Sequence, residues 1–471
     1  MTSLSAHQLS FAYDDREIFH RLDFTVPMGE FSLLTGPSGS GKSSLLKLLA
    51  GLFPQYGGRV TSGQVSLNGQ NAAEIVPFQR ATKVAMLFQH PARQFAMRTV
   101  NQQIDFALAN LQLSAAEIYR RRQWVLGKLA LQQFAHRLVT TLSGGEQQRV
   151  ALACVLAMDS EIILLDEPFA NVDINGRKNL LQILKRLQET GKTIFLADHD
   201  PTGYRGIASR LFRVDADAKT VRTVPLENLP TEEENLTPVR LSDELLGERL
   251  RWHDLTYGVG ERQLVHNSSF TLPAGKIGLL SGKNGAGKST LFNVLSRQHH
   301  FTGQLSFDSV LAQKVPLRKW ALKVGQVFQN STDQFISMTV KQELAISRKH
   351  SRQPDYWTPR RIDQCLADLN LSRVVDHVCY RLSGGQQKKL QLLSMLIMAQ
   401  PVLLLDEPFA GLDLQSIQRV LQLLMMVKKD LQTSILIISH QRYGIVAALD
   451  YELRLTGQRL ILQGRDSDEQ N

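Results

Sequence analysis

The pattern Gly-x-x-x-x-Gly-Lys-Ser occurs twice in this chain, as Gly36-Pro37-Ser38-Gly39-Ser40-Gly41-Lys42-Ser43 and as Gly282-Lys283-Asn284-Gly285-Ala286-Gly287-Lys288-Ser289. Glycines at these spacings let backbone N–H groups turn inward around a phosphate, where a Cβ would obstruct the approach. The lysine can reach the β- and γ-phosphates of a nucleotide, and the serine hydroxyl can ligate Mg²⁺. Ser44 and Thr290, next in each segment, are assigned to the nucleotide with them. One glycine-rich loop is compatible with simple turn chemistry. Two copies point to two nucleotide sites, one in each half.

A second pair of segments carries carboxylates. Ile162-Ile163-Leu164-Leu165-Asp166-Glu167 and Val402-Leu403-Leu404-Leu405-Asp406-Glu407 are apolar runs ending in two acids. Such a run reads as a strand buried on both faces of a parallel sheet, with its acids at the end where open α/β sheets bind ligands. Asp166 and Asp406 are then expected to hold the Mg²⁺ shell, and Glu167 and Glu407 to polarise an attacking water. A lone Asp-Glu pair often only begins a turn. Here each pair follows a phosphate loop at similar distance, which favours catalysis.

The elements that must position these groups are legible around them. Phe31 to Thr35 reads as the strand entering the first loop and Ser43 to Leu52 as the helix leaving it; Ile277 to Ser281 and Ser289 to Ser296 repeat that context. The phosphates are thereby expected at helix N-termini, where the dipole favours anions. The repeat runs gapless from His7-Gln8-Leu9-Ser10-Phe11 against His253-Asp254-Leu255-Thr256-Tyr257 through both loops, and resumes at Phe88-Gln89 against Phe328-Gln329. A repeat of this length is a duplicated domain rather than a solenoid of small units. The expected division is 1–224, a linker over 225–248 containing Thr231-Glu232-Glu233-Glu234, and 249–471.

Composition agrees with two domains. The chain has 471 residues and 43% hydrophobic residues, suited to two cores. No apolar run approaches the roughly 18 residues of a membrane span, and the first thirty residues lack the form of a secretory signal. The three cysteines, Cys154, Cys365 and Cys379, show no metal-type pairing, which suits a reducing cytoplasm. The net charge of +10 includes the clusters Arg120-Arg121-Arg122 and Pro359-Arg360-Arg361. Most of these residues read as solvated helix faces; an anionic membrane surface or RNA is the other partner class such charge attracts.

With Leu142-Ser143-Gly144-Gly145-Glu146-Gln147-Gln148-Arg149 and Leu382-Ser383-Gly384-Gly385-Gln386-Gln387-Lys388-Lys389 included, nearly the whole chain resembles the ABC ATPase family. The resemblance implies an α/β fold of two tandem P-loop NTPase domains. Each would have a mainly parallel sheet core, an antiparallel β part and a helical subdomain. It implies hydrolysis of ATP with Mg²⁺, and two halves pairing head to tail within one chain. Ser143, Gly144 and Gly145, like Ser383, Gly384 and Gly385, would close over the γ-phosphate held by the opposite half. Gln89 and Gln329 match the loop glutamine that senses Mg²⁺ and the membrane partner. Asp173 and Asp413 match an aspartate that communicates across the domain interface. His199 and His440 match the switch histidine at the γ-phosphate.

A second glutamine follows the first by five residues in Phe88-Gln89-His90-Pro91-Ala92-Arg93-Gln94-Phe95 and in Phe328-Gln329-Asn330-Ser331-Thr332-Asp333-Gln334-Phe335. That pattern resembles the ATPases of energy-coupling factor importers, with Ser331 departing from the proline that Pro91 supplies. It implies a peripheral protein on the cytoplasmic face of the cell membrane, an integral membrane scaffold, a substrate-binding membrane subunit, and no nucleic acid. Phe95, Met97, Phe335 and Met338 are expected to offer that scaffold apolar contact, or to pack within the helical subdomain. Twin-ABC translation factors acting on the ribosome are the alternative. They carry a long charged helical arm between their domains, whereas the connection here is short and acidic. Sugar-importer fusions typically have a degraded second phosphate loop, and Gly282 to Ser289 is intact; DNA-repair relatives would need zinc cysteines or a coiled coil.

The family commonly stacks adenine on an aromatic residue near the N-terminus, the place of Tyr13. Gapless alignment puts Val259 opposite Tyr13 and Tyr257 opposite Phe11. Tyr257 could serve as the platform only if the backbone shifts, since side chains two apart on a strand face the same way. The two ATP sites are therefore expected to differ, unless Tyr257 or a neighbouring loop fills the gap.

Overall fold

The computed structural model describes residues 3–89, 94–169, 172–231, 239 and 247–463. His90 to Arg93 of the first glutamine loop, and most of the expected linker, lie outside the described residues. The chain divides into two compact units, Met1–Asn235 and Leu236–Asn471.

The first unit runs β1 (Leu4–Tyr13), β2 (Arg16–Thr25), β3 (Phe31–Thr35), α1 (Lys42–Leu49), β4 (Arg59–Leu67), β5 (Gln70–Asn71), α2 (Pro77–Lys83) and β6 (Val84–Leu87). It continues with α3 (Val100–Ala109), α4 (Ala115–Lys128), α5 (Gly144–Ala157), β7 (Ile162–Asp166), α6 (Ile174–Glu189), β8 (Thr193–Ala197), β9 (Arg210–Asp215) and β10 (Thr220–Val224). A four-stranded antiparallel sheet has the order β2-β1-β4-β5, and a six-stranded sheet the order β10-β9-β3-β8-β7-β6. In the larger sheet only the β9/β10 pair is antiparallel.

Alternation along the central strands builds two cores. Phe31, Leu33, Ile163, Leu165, Ile194 and Leu196 face the helical part, packing with Ile104, Leu126 and Leu152. Leu34, Leu164 and Phe195 face the other way, onto Leu45, Leu46 and Leu49 of α1 and Phe11 of β1. Strands covered on both faces must be apolar at every position, and β7 is buried throughout. Each fully buried aliphatic side chain there contributes about 1.5–3 kcal/mol. Leu164→Asp would lose that and bury an unpaired charge.

The second unit repeats the plan: β11 (Glu248–Val259), β12 (Arg262–Pro273), β13 (Ile277–Gly282), α7 (Lys288–Leu295), β14 (Thr302–Phe307), β15 (Val310–Leu311), α8 (Leu317–Ala321), β16 (Val324–Val327), α9 (Val340–Lys349) and α10 (Pro359–Asp368). Then come α11 (Gly384–Met398), β17 (Val402–Asp406), α12 (Leu414–Leu431), β18 (Ser434–Ile438), β19 (Tyr451–Thr456) and β20 (Arg459–Leu462). Its sheets are ordered β12-β11-β14-β15 and β16-β17-β18-β13-β19-β20. In both units, therefore, the strand before the phosphate loop, the strand before the histidine and the acidic strand lie side by side and parallel. Their C-terminal ends open at one edge, where ligands of such sheets bind. Among the described residues no helix is long and apolar enough to cross a membrane.

Candidate functional site

The phosphate loops fold as their glycines require. Gly39 and Gly285 sit at φ of 75° and 72°, and a Cβ built on either would meet nothing within 4 Å. The constraint there is backbone conformation, not space. Gly41 and Gly287 share φ of 105° and cap the helices α1 and α7. The Lys42 amine donates to the Gly36 carbonyl at 2.7 Å and the Pro37 carbonyl at 3.1 Å. Lys288 does the same to Gly282 at 2.7 Å and Lys283 at 3.0 Å. Each ammonium thus lies across the mouth of its own loop. Ser38, Gly39, Asn284 and Gly285 are exposed at the loop tips, Ser44 is buried and Thr290 half-buried on the following helix.

The acids meet the loops. Ser43 Oγ donates to Asp166 Oδ1 at 3.0 Å, and Ser289 bonds the Asp406 side chain in the second unit. A hydroxyl beside one carboxylate is an oxygen donor set suited to Mg²⁺, which takes one or two carboxylates and completes its shell with water and phosphate. Glu167 and Glu407 adopt φ of 47° and 48°, a left-handed conformation that costs a non-glycine residue about 1–3 kcal/mol. Both are held there by donating backbone N–H bonds, Glu167 to Ala197 at 2.9 Å and Glu407 to Ile438 at 3.0 Å. The side chains then face the histidines: His199 Nδ1 lies 3.6 Å from Glu167 Oε2, and His440 Nε2 lies 3.5 Å from Glu407 Oε1. Gln89 Nε2 donates to Glu167 Oε2 at 2.8 Å.

Electrostatics separate the two corners. Burial alone pushes the Glu167 carboxyl up, but the His199 and Lys42 charges outweigh it and bring it to about 2. Burial pushes His199 down, and Glu167, Asp198 and Asp200 raise it instead to about 9. Asp166 is pushed up to about 6 by burial and by Glu167. Glu407 goes the opposite way to its counterpart: burial, then Asp406, push it up to about 8 against the pull of Lys288 and Lys388.

The signature serines stand elsewhere. Ser143 caps α5 and Ser383 caps α11, each in a capping box with the residue three positions on, Glu146 or Gln386. Gly144 and Gly384 are exposed and Gly145 and Gly385 half-exposed, leaving a helix N-terminus open to an anion. Asp173 and Asp413 cap α6 and α12, accepting from Gly176 N and Ser416 N at 2.8 Å each.

A family model described as ABC transporter matches residues 19–170 and 265–410. The chain belongs to the ABC transporter family. It is a twin-domain ABC ATPase. A Bacillus subtilis (strain 168) protein, given provisionally by its name to HMP/thiamine import as the ATP-binding protein, is 31% identical over 98% of this chain and 91% of its own length. A Treponema denticola protein named as an ABC transporter ATP-binding protein, also provisionally, is 29% identical over 97% of this chain and 96% of its own. Among solved structures, an RNase-L inhibitor superposes with a TM-score of 0.68 at 19% identity, covering 96% of this chain and 89% of that one. An archaeal ribosome recycling factor does so with 0.68 at 21%, covering 93% and 84%. At these identities the structural likeness shows the fold.

In this ABC ATPase the aromatic positions differ as the alignment reads them. Tyr13 pairs Arg16 at the turn end of its hairpin, and Val259 pairs Arg262 at the same point. The Tyr13 hydroxyl lies 3.1 Å from Ser44 Oγ, and its ring stands edge-on to Phe11 and Phe53 at 5.0 and 5.9 Å. Val259 is 56% exposed, while Tyr257 is 3% exposed and donates to the Gly287 carbonyl at 3.1 Å. Tyr257 thus takes the core position of Phe11. His299 replaces Phe53 and bonds the Gly258 carbonyl at 2.7 Å.

The expected apolar contacts divide. Phe335 is only 6% exposed and belongs to the core of the second unit, because its ring packs edge-on against Tyr380. Exposed beside it are Ile336 at 75%, Met338 at 62% and Tyr380 at 49%. Phe95 lines a cavity of about 790 Å³ in the first unit between α2, β6, α3 and α5, with Phe88, Gln94, Ala151 and Cys154. This cavity flanks the glutamine loop rather than the phosphate loop.

Two groups escaped the sequence reading. Arg177 reaches Asp200 at 2.5 Å and Asp198 at 3.1 Å, and the Tyr204 hydroxyl donates to Asp198 at 2.6 Å, bracing the segment that carries His199. In the second unit, Lys388 and Gln391 bond the glutamine loop. The signal was there for Gln391: a polar residue breaks the apolar face of α11 where α5 has Ala151.

Proposed function

We propose that this ABC ATPase energises an importer of the energy-coupling factor type, carrying a vitamin or a metal ion through separate membrane subunits. The observation that carries this reading is the near full-length match to the relative named for HMP/thiamine import. The paired glutamines Gln89/Gln94 and Gln329/Gln334 support it. In this reading the domains span 1–224 and 249–471, and the chain sits on the cytoplasmic face of the membrane.

The two halves close head to tail on ATP. Site one takes Lys42, Ser43, Gln89, Asp166, Glu167 and His199 with Ser383 and Gly385; site two takes Lys288, Ser289, Gln329, Asp406, Glu407 and His440 with Ser143 and Gly145. Mg²⁺ would be held by Ser43, Asp166 and Gln89, and by Ser289, Asp406 and Gln329, and supplies charge neutralisation on the phosphates when bound. The lysines and loop N–H groups orient the phosphates, Glu167 takes the proton of the attacking water, Glu407 does so once it has lost its own proton, and His199 and His440 face the γ-phosphate. The approach of each carboxylate to 3.6 and 3.5 Å of its histidine supports these roles.

The membrane scaffold meets the chain beside the glutamine loops, at the Phe95 cavity and the Ile336, Met338 and Tyr380 surface. Cysteines at positions 95–110 or 336–350 should cross-link to a polytopic membrane protein in native membranes. Recovery of ribosomal proteins alone would replace this reading with the translation factor, which the charge of +10 favours.

A further inference from the structure

The glutamine loops of the two units are fastened differently. In the second unit Lys388, 4% exposed on α11, donates from Nζ to the Gln329 carbonyl at 2.8 Å and the Phe328 carbonyl at 3.3 Å. One turn on, Gln391 is fully buried. Its Nε2 donates to the Phe328 carbonyl at 3.0 Å and to Gln334 Oε1 at 2.7 Å. Its Oε1 accepts from Ser331 Oγ at 3.0 Å. Gln334 then closes the turn, donating to the Gln326 carbonyl at 3.0 Å and accepting from Phe328 N at 3.2 Å. The loop backbone from Gln326 to Ser331 is stitched to the helix that begins with the signature sequence.

In the first unit Gln148 stands at the position of Lys388 and Ala151 at that of Gln391. Among the described residues Gln148 donates to the Glu167 carbonyl at 3.5 Å, and Gln94 to the Phe88 carbonyl at 3.2 Å. Ala151 lines the cavity that opens beside this loop. Lys388 also interacts with both Asp406 and Glu407. Burial brings the Lys388 ammonium down to about 8, against the pull of the Asp406 and Glu407 charges. A charge-assisted bond to a carbonyl is stronger than the neutral bond glutamine can make.

We propose that Lys388, supported by Gln391, is a positioning residue that locks the glutamine loop of the second unit to the signature helix and so holds Gln329 in place. The second site is thereby built with its loop held by the helix, whereas the first unit has Gln148 and Ala151 at these two positions, and alanine offers no side-chain hydrogen bond. The device would hold the group needed for hydrolysis without touching nucleotide itself, so it acts on turnover and not on ATP affinity. It rests on Gln329 belonging to the ATP site.

The test uses the full chain. Lys388→Gln, which installs the first unit's residue, should lower kcat by roughly 10-fold, the scale of one charged hydrogen bond, with KM within about two-fold. Lys388→Arg, which keeps charge and donors, should recover most of that loss. Amide hydrogen exchange at 328–331 should speed up in Lys388→Gln and in Gln391→Ala, but not in Lys388→Arg. Unchanged kcat and unchanged exchange would overturn the proposal. So would a loss of kcat that Lys388→Arg fails to recover, or one matched by a rise in KM. Gln329→Ala is run alongside: if it leaves kcat unchanged, the assignment of Gln329 to the site fails independently of the clamp.

Discussion

In the first unit Glu167 accepts from Gln89 at 2.8 Å and faces a histidine flanked by Asp198 and Asp200. In the second, Glu407 faces a histidine whose neighbours are Ser439 and Gln441, with Ser439 Oγ turned to the Gln441 carbonyl at 3.0 Å. The backbones match to the left-handed φ at each glutamate. The groups around them do not. Acids around His199, braced by Arg177, keep a cation against Glu167, whereas burial dominates at Glu407. Duplication thus preserved the frame and let the neighbours of each reacting group diverge. The same division recurs around Tyr13, where Phe11, Tyr13 and Phe53 correspond in sequence to Tyr257, Val259 and His299.

The largest effect expected is shared by both corners. Glu167→Gln and Glu407→Gln together should lower ATP hydrolysis by at least about 10²-fold, the scale of losing a positioned base, while ATP still binds. Hydrolysis near the parental rate would remove both carboxylates from the reaction.

The adenine ends should separate the sites next. Stacking on an aromatic ring is worth about 1–3 kcal/mol per base, or roughly 5- to 150-fold in affinity. Tyr13→Ala should weaken nucleotide binding at one site, and Val259→Tyr should tighten it at the other and sharpen its preference for ATP over GTP. Competition binding with the two nucleotides reads both effects.

The smallest effect is on stability without nucleotide or metal. Glu407 has a native value of about 8 against an ordinary 4.5, so between these pH values the native state keeps a proton the unfolded chain has lost. Stability then falls as pH rises through that window. Glu407→Gln should raise Tm at pH 8 by a few degrees, and by much less at pH 5. Glu167 is held at about 2, so its contribution is fully present above about 4.5 and fades as pH falls toward 2. Glu167→Gln should therefore lower Tm at neutral pH. Thermal unfolding from pH 5 to 8 distinguishes opposite signs from a common one.

Much of this was legible in the chain because it is local. The phosphate loops are contiguous, their glycines carry the turn, and the apolar runs before Asp166 and Asp406 can be strands only if covered on both faces. The gapless register sufficed to place Val259 opposite Tyr13. What sequence reasoning missed depends on residues brought together across the fold. Lys388 meets a carbonyl 59 positions away, and Phe335 is buried by Tyr380, 45 positions away. The left-handed glutamates were hidden too, because a hydrogen bond to the neighbouring strand imposes that φ on a residue that does not favour it.

The inequivalence of the two sites is tested most directly by titrating ATP into the chain carrying both Glu→Gln changes and following heat. Two classes of site are expected, differing by about 5-fold or more, with Tyr13→Ala abolishing the tighter class. A single class of two equal sites, unchanged by Val259→Tyr, would contradict it.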